Sequence, residues 1–393
     1  MDDLHHPPDR VREKTHIDAF VRAEASIEDE NYAEQIIDAL ADHRLAHVLV
    51  FANPAADFTQ LIRRLHASCQ CPVAGCTTAG EIGQKGYSTD SVVAIGFPRK
   101  LFAARTILFE GITSADMGFE VDRMIRERIA FQATNPRLTN GFSFLMVDGL
   151  SRCEDALVNA IAPNVTGFPL FGGSAGDGLR FKSSFVAYNG RVYQDAATLT
   201  LVATECLTNV FSINHMVPAD THMVVTEADP AQRVVKSINA EPAAAEYARL
   251  IGKDPAQLDE LVFAGNPVMV CVGGEYHVRA IQRVNEDGNL VFFSAIDEGM
   301  VLTVASANDM AGDLDAKLSE VRNGYQRPSI LGCDCVLRRI EAERGQNLHR
   351  VNTVLRKHGV VGMSTYGEQI GTLHVNHTMT GVAIFPEVSA KVR

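Results

Sequence analysis

The stretch Pro72-Val-Ala-Gly-Cys-Thr-Thr-Ala-Gly-Glu81 joins a short apolar run to a tight turn of small residues, and the apolar run 91–97 follows it. The same order of proline, apolar pair, glycine, hydroxyl residue, Ala-Gly and carboxylate returns in Pro169-Leu-Phe-Gly-Gly-Ser-Ala-Gly-Asp177. A shortened version, Ser364-Thr-Tyr-Gly-Glu368, precedes the run 380–385. Self-similarity of this kind predicts one supersecondary unit that is used several times.

Each copy is typical of a buried strand that ends in a tight turn, where glycine permits positive φ or close backbone approach. The turn 75–81 lacks the Lys-Ser/Thr ending of a phosphate-binding P-loop, and the turn 172–178 lacks the G-x-G-x-x-G order. Nucleotide binding is therefore disfavoured. The glycines serve either strand packing alone or a ligand that approaches the backbone.

Composition and charge narrow the class of protein. The chain has 393 residues, 46% of them hydrophobic and 21% charged, which is enough for a sizeable core and for two domains. A net charge of −12 without a cluster of Lys and Arg argues against nucleic-acid binding. The N-terminus lacks the apolar core of a signal peptide, and no run of about 18 apolar residues occurs. We expect a soluble, cytoplasmic protein with no membrane partner.

Helical and strand patterns mix along the whole chain. Helix, strand, helix and strand fill residues 33–80, and Asn189-Gly190 is the strongest hairpin signal. The stretch 217–232, with two prolines, is interpreted as a loop at a domain boundary, and a new helix begins after Pro242. The pattern predicts an α+β fold with mixed sheets, not a doubly wound parallel sheet.

The patterns also set limits for the domains. Residues 1–15 are predicted to be disordered, 16–220 to form an N-terminal domain and 221–393 a C-terminal domain, with a ligand site at their interface. A helix is expected to end at Gly324, and 330–337 is expected to be a strand.

Catalytic and metal motifs are weak. No G-x-S-x-G elbow, H-E-x-x-H helix or kinase signature occurs, so no enzymatic activity is expected. Cys69-Gln-Cys71 and Cys333-Asp-Cys335 are C-x-C pairs and not the C-x-x-C of structural zinc. The eight cysteines are expected to be free thiols. Cys71-Pro72 resembles the Cys-Pro dipeptide of some haem-responsive proteins.

Two histidines are candidates for binding haem iron. His215 lies beside Met216 and Val217 near the expected domain junction, and His374 lies between the third glycine turn and the final strand. An imidazole among apolar residues at an interface suits a haem iron. Spacing alone favours a hydrogen-bonded core histidine over an iron ligand at each position.

The glycine signatures resemble a known family. Gly75 to Ile82 with Asp90 to Ile95, followed by Gly172 to Asp177, is similar to the paired signatures of the FIST N-terminal domain. Residues 264–299, Gly367-Glu-Gln369 and the final strand are similar to the FIST C-terminal domain. The resemblance spans roughly residues 36–385 and implies two FIST-type domains with internal repeats.

A narrower resemblance is to the haem-binding, nitric-oxide-sensing branch of bacterial FIST proteins. It implies a haem b sensor that binds nitric oxide and regulates a histidine kinase or a diguanylate cyclase or phosphodiesterase. His374 and His215 would then be the iron ligand and its alternative, and His377 departs from the glutamine of the branch. The segments that carry this resemblance are 233–250, 272–276, 295–299, 332–339 and 364–369.

Two other classes stay open. One is a FIST sensory module that binds a small metabolite such as an amino acid, held at the glycine turns by Thr77, Thr78, Ser174, Glu81 and Asp177. The other is a structural adaptor. The sequence leaves the gas selectivity, the partner enzyme and the oligomeric state, a homodimer included, undecided.

Overall fold

The fold is described from a computed structural model, which covers residues 18–322 and 327–389. Of the described residues, 28% lie in helices and 42% in strands, and these strands form four sheets. The expected α+β class with mixed sheets is confirmed. The segment 1–15, predicted to be disordered, and Gly324, the predicted end of a helix, lie outside the described residues.

The first unit has a parallel strand pair with a helix between its strands. Ala33, Ile36 and Leu40 lie buried on one face of its first helix, because apolar side chains three and four residues apart share a helix face. Its elements are β1 (Val21–Ser26), α1 (Tyr32–Ala41), β2 (Leu45–Ala52), α2 (Phe58–Ser68), β3 (Val73–Thr77), β4 (Glu81–Gly83), β5 (Gly86–Ser88) and β6 (Ser91–Pro98).

The second unit repeats this order of elements. Asn189 and Gly190 both have positive φ and form the predicted hairpin turn. The elements are β7 (Phe102–Glu110), α3 (Met117–Thr134), β8 (Asn140–Val147), α4 (Glu154–Ile161), β9 (Leu170–Ser174), β10 (Val186–Tyr188), β11 (Arg191–Tyr193) and β12 (Ala196–Thr204).

The third unit begins with β13 (Cys206–Asn214) and is then interrupted by an inserted sheet, residues 216–307. In that sheet, Pro242 precedes the first helix as predicted. Its elements are β14 (Met216–Asp229), β15 (Val234–Ile238), β16 (Glu241–Pro242), α5 (Ala243–Leu250), α6 (Glu260–Gly265), β17 (Val268–Val272), β18 (Glu275–Arg279), β19 (Ile281–Val284), β20 (Leu290–Phe292) and β21 (Val301–Ala307).

After the inserted sheet the third unit is completed in the same order as the others, with two helices where they have one between the parallel strands. Its remaining elements are α7 (Met310–Arg322), β22 (Ser329–Cys335), α8 (Val336–Arg344), α9 (Leu348–His358), β23 (Val360–Thr365), β24 (Glu368–Ile370), β25 (Leu373–Val375) and β26 (Thr378–Ser389).

The three units exchange hairpins in a cycle. The sheet orders are β1-β6-β2-β3-β10-β11, β7-β12-β8-β9-β24-β25 and β13-β26-β22-β23-β4-β5. Each parallel pair, β2 with β3, β8 with β9 and β22 with β23, is therefore extended by a hairpin from a different unit. A shared apolar core receives side chains from all three sheets, and the helices pack on their outer faces.

Three sequence interpretations are wrong in detail. The expected loop 217–232 is mostly strand β14, whose residues 216–224 pair with β21 and whose residues 225–229 pair with β15. The register with β21 shifts after Pro218, and proline has no N–H to donate. The expected strand 276–284 is broken between β18 and β19. The expected strand 330–337 ends at Cys335, where α8 begins. The domain limits stay a prediction, and residue 220 lies within β14.

Candidate functional site

The three glycine turns meet and bind one another through their backbones. Ala79 N–H donates to the Ser364 carbonyl at 3.0 Å, and Ser174 N–H donates to the Gly367 carbonyl at 2.8 Å. Gly176 N–H donates to the Thr77 carbonyl at 3.0 Å and closes the ring. The turns are thus the junction of the three units.

The polar side chains of these turns bond within the protein. Glu81 accepts hydrogen bonds from the hydroxyls of Thr78 and Ser91, and burial raises its pKa to about 8. Asp177 is desolvated too, but Tyr366 O–H and backbone N–H groups donate to it and hold its pKa below the ordinary value. The five side chains proposed to hold a zwitterion are buried and bond within the protein in this arrangement, and that proposal stays a prediction. They are Thr77, Thr78, Ser174, Glu81 and Asp177.

A cleft lies between the second unit and the inserted sheet. Its volume is about 360 Å³, within the usual range for small-molecule sites. The side toward the three units is formed by Gly149, Leu150, Arg152, Phe181 and Tyr366. The opposite side includes Gln232, Arg233, Gln282, Arg283 and Phe293.

The wall toward the units is shaped by the loop 148–153 and by stacked rings. Asp148 accepts from Leu150 N–H at 3.1 Å, which holds the loop in a turn. A Cβ at Gly149 would lie 2.1 Å from the Ala175 carbonyl oxygen, so only glycine fits there. The Phe181 ring stacks on Tyr366 with centroids 4.4 Å apart, although Phe181 has the uncommon φ of 50°.

Arg233 joins the inserted sheet to the second unit. It is buried, has positive φ, and donates from Nη2 to Glu154 at 2.7 Å and to Asp155 at 3.4 Å. It also donates to the Phe293 carbonyl. Two carboxylates neutralise this guanidinium, as a buried cation requires.

His215 lies in a polar network at the root of the inserted sheet. Its Nε2 is 2.9 Å from Glu341 Oε1, and its Nδ1 is 2.7 Å from Arg338 Nη1. Its carbonyl accepts from Asn308 N–H, so it lies where the chain enters and leaves the insert. Both ring nitrogens have partners, and this histidine does not fit iron ligation in this arrangement.

His374 has one engaged nitrogen. Its Nδ1 is 3.2 Å from Gln369 Nε2, and Nε2 has no hydrogen bond to the residues that the structure describes. The ring lies against Gly367, where a Cβ would be 2.4 Å from Cε1. Burial lowers the pKa of His374, so the imidazole is neutral at pH 7. It lies near Arg279, which donates to its carbonyl.

The other candidates are separate from the cleft. Burial raises the pKa of Cys71 to about 12, so it carries a thiol and no thiolate. Both nitrogens of His377 are buried without a hydrogen bond to the described part of the chain, and burial lowers its pKa to about 3. The eight cysteines are free, and no group of three or more metal-binding side chains converges within residues 18–322 and 327–389.

Sequence reasoning missed the cleft residues. Tyr366 lies within the third glycine turn and Phe181 lies four residues after the second, and this position at the repeats was an available signal. Arg233 begins one of the segments that carry the resemblance, but its role could not be predicted, because its positive φ and its carboxylate partners are not visible in the sequence.

Comparison with known families now adds to this geometry. The FIST N domain matches residues 46–241, and the FIST C domain matches residues 243–371. A search of curated proteins gave no match. In the described part of the chain, each helix is too short or too polar to cross a bilayer. FIST domains are sensory modules of signal transduction. The two matches span most of the chain in the expected order, and it belongs to the FIST family.

Proposed function

We propose that this FIST protein senses a small ligand that binds in the cleft between the second unit and the inserted sheet, and that it acts by binding and not by catalysis. The observation that supports this proposal most directly is the cleft itself, which lies between the second unit on one side and the insert on the other. A ligand there would contact residues of both FIST matches, and such interfaces commonly hold ligands.

The connections of the insert support a signalling role. The chain enters the insert after His215 and leaves it at Asn308, and these two residues are joined by a backbone hydrogen bond. Polar contacts also join the insert to the units, among them Arg233 with Glu154 and Arg152 with Gln232, each at 2.7 Å. A ligand with differential affinity for two positions of the insert, about 1–3 kcal/mol in ordinary allosteric coupling, would shift their populations.

A blocking substitution tests the location of the site. Gln282 is half-buried on the edge strand β19, and Gln282→Trp would fill the cleft without entering the core. Gln257→Trp, at an exposed site outside the cleft, is the matched control. We expect mass spectrometry and thermal-shift screening to show small-molecule binding in the wild type and the control, and its loss in Gln282→Trp. Equal binding in all three proteins would place the site elsewhere.

A second candidate function is haem-based sensing of nitric oxide, with His374 as iron ligand. The observation that favours it is that Nε2 of the buried ring has no hydrogen bond to the residues that the structure describes, whereas Gln369 contacts Nδ1. With Gln369 Nε2 donating to Nδ1, the ring proton lies on Nε2. Iron ligation would require the amide to turn so that its buried Oε1, which has no partner among the described residues, accepts from Nδ1–H. Haem b would supply a ferrous iron that binds nitric oxide. The residues of the chain would orient a neutral imidazole and exclude water from it. A histidine kinase or a cyclic-di-GMP enzyme would be the partner that reads the signal.

Absorption spectra test the haem proposal directly. After reconstitution with haem, His374→Ala is expected to lose the wild-type Soret position and most haem retention. The matched control His43→Ala, at an exposed histidine, should keep both. A wild-type protein that takes up no haem, or a His374→Ala spectrum identical to the wild type, would remove this candidate.

A further inference from the structure

We propose that the ligand of the cleft is a small anion, a carboxylate or a phosphate, with a flat apolar body. This inference rests on the proposed sensory function. It is carried by the juxtaposition of unneutralised arginines with aromatic rings in one cavity.

The charge of the cleft is opposite to that of the chain. The whole protein has 48 Asp and Glu against 36 Lys and Arg, yet the residues lining the cleft include three arginines and no carboxylate. A cavity walled by one sign of charge concentrates ligands of the opposite sign. The cleft therefore favours an anion over a cation.

Two of the three arginines are not neutralised by a carboxylate of the described residues. Arg233 is neutralised by Glu154 and Asp155, which makes it a structural residue. Arg152 donates to the amide oxygen of Gln232, a neutral partner, and Arg283 is exposed with no carboxylate partner among the described residues. Guanidinium groups bind carboxylates and phosphates through paired, charge-assisted hydrogen bonds.

Aromatic rings form the apolar part of the cleft. Phe181 lies between Tyr366 and Phe293, with centroid distances of 4.4 and 5.7 Å. Offset stacking against such rings favours a planar ligand over a globular one. The hydroxyl of Tyr366 is held by Asp177, so this residue offers its ring and not its O–H.

The same lining disfavours a free amino acid. The ammonium group of an amino acid would find no carboxylate among the residues that line the cleft. Burying it without such a partner is costly. The chemistry of the cleft thus favours an aromatic acid or an aryl phosphate.

Titration with matched probes tests the ligand class. The probes are salicylate and phenyl phosphate as flat anions, 2-hydroxybenzyl alcohol as the neutral counterpart of salicylate, and cyclohexanecarboxylate as the non-planar anion. We expect calorimetry to show that a flat anion binds more tightly than 2-hydroxybenzyl alcohol and than cyclohexanecarboxylate. Added salt should weaken the binding of the flat anion. The preference between salicylate and phenyl phosphate identifies the anionic group.

Substitutions place the binding on named residues. We expect Arg283→Gln and Arg152→Gln each to lower the affinity for the flat anion about tenfold, because one charge-assisted contact is lost. The affinity for the neutral probe should stay unchanged. Phe293→Leu should reduce the preference for the flat anion over the non-planar one. Arg126→Gln, at an exposed arginine on α3, is the matched control and should bind like the wild type.

The outcomes separate the two proposals. If Gln282→Trp abolishes binding of the neutral probe or of a screened compound while neither flat anion binds the wild type, the cleft is the site and the proposed ligand class is wrong. Binding of the flat anions that is unaffected by Arg283→Gln and Arg152→Gln also overturns the class. If Gln282→Trp leaves every binding event intact, the proposed site itself is wrong.

Discussion

The second and third units share one plan but treat the carboxyl ends of their parallel strands differently. In the second unit, residues 148–153 separate β8 from α4, and that loop forms a wall of the cleft. In the third unit, α8 begins directly after β22, and the first turn of α8 carries Arg338, which is fully buried. Its Nε donates to Asp334 at 2.7 Å, and the Tyr87 hydroxyl of the exchanged hairpin donates to the same carboxylate.

This difference shows how a repeated unit acquires a site. Ligands in open α/β sheets bind beyond the carboxyl ends of the strands, where connecting loops leave room. A loop of several residues keeps that room in the second unit, and a buried ion pair removes it in the third. Four predictions sharpen or break this comparison.

The largest expected effect is at the filled position. Arg338→Ala leaves Asp334, which is fully buried, without its cation, and the free energy of unfolding should fall by about 3–5 kcal/mol. Denaturant unfolding measures the change. Arg63→Ala, at an exposed arginine of α2, should have almost no effect. A loss for Arg338→Ala as small as for this control would show that the ion pair is not what fills the third unit.

The next effect is in the open loop. In Gly149→Ala the new methyl group would lie 2.1 Å from the Ala175 carbonyl oxygen, so the loop must shift, and we expect a loss of about 1–3 kcal/mol. Gly265→Ala is the control, because a Cβ there has no atom within 4 Å. If both variants unfold at the same denaturant concentration, the close approach of the loop to the second glycine turn is not required.

The carboxylates of the turns give a pH-dependent effect. Burial raises the folded-state pKa of Glu81 to about 8, so unfolding releases a proton and wild-type stability falls as pH rises from the ordinary Glu pKa toward 8. Between pH 6 and 8 this loss is roughly 2 kcal/mol. Glu81→Gln lacks the titrating group, so its melting temperature should rise relative to that of the wild type as pH rises. A constant difference would mean that Glu81 is ionised in the folded protein.

The smallest effect is expected for the arginines of the cleft. Arg152→Gln and Arg283→Gln should change the free energy of unfolding by no more than about 0.5 kcal/mol, because neither pairs with a carboxylate. The measurement is the same unfolding experiment as for Arg338→Ala. A large loss for either variant would make it structural like Arg338, and would weaken its assignment to ligand binding.

Local patterns predicted the elements of the units well. The repeat of Pro72 to Glu81 in Pro169 to Asp177, the Asn189-Gly190 turn and the helix after Pro242 are all encoded by neighbouring residues, and the structure confirms each of them. The strand β14 was missed because Pro218 and Pro230 suggested a loop, whereas pairing of its first part with β21 and of its last part with β15 holds it extended.

The arrangement of the units and the cleft could not be predicted in this way. Pairing of Glu368 with Gly173, or of Glu81 with Met363, joins residues far apart in sequence and leaves no periodic signal. His215 and His374 had similar apolar neighbours in sequence, but only the folded chain shows that both nitrogens of His215 have partners. The cleft depends on such long-range packing, which brings Arg233 to Glu154.

The cyclic exchange of hairpins has a consequence for the order of folding. The hairpin β4–β5 leaves the ribosome early, yet its partner strand β23 is among the last to be made. Chain closure over such separations is slow, and a sheet edge that awaits its partner is prone to wrong pairing. The ring of three sheets is completed only when synthesis is nearly finished. A truncated N-terminal half would therefore lack the strand that β4 pairs with, and its assembly is tied to the C-terminal residues.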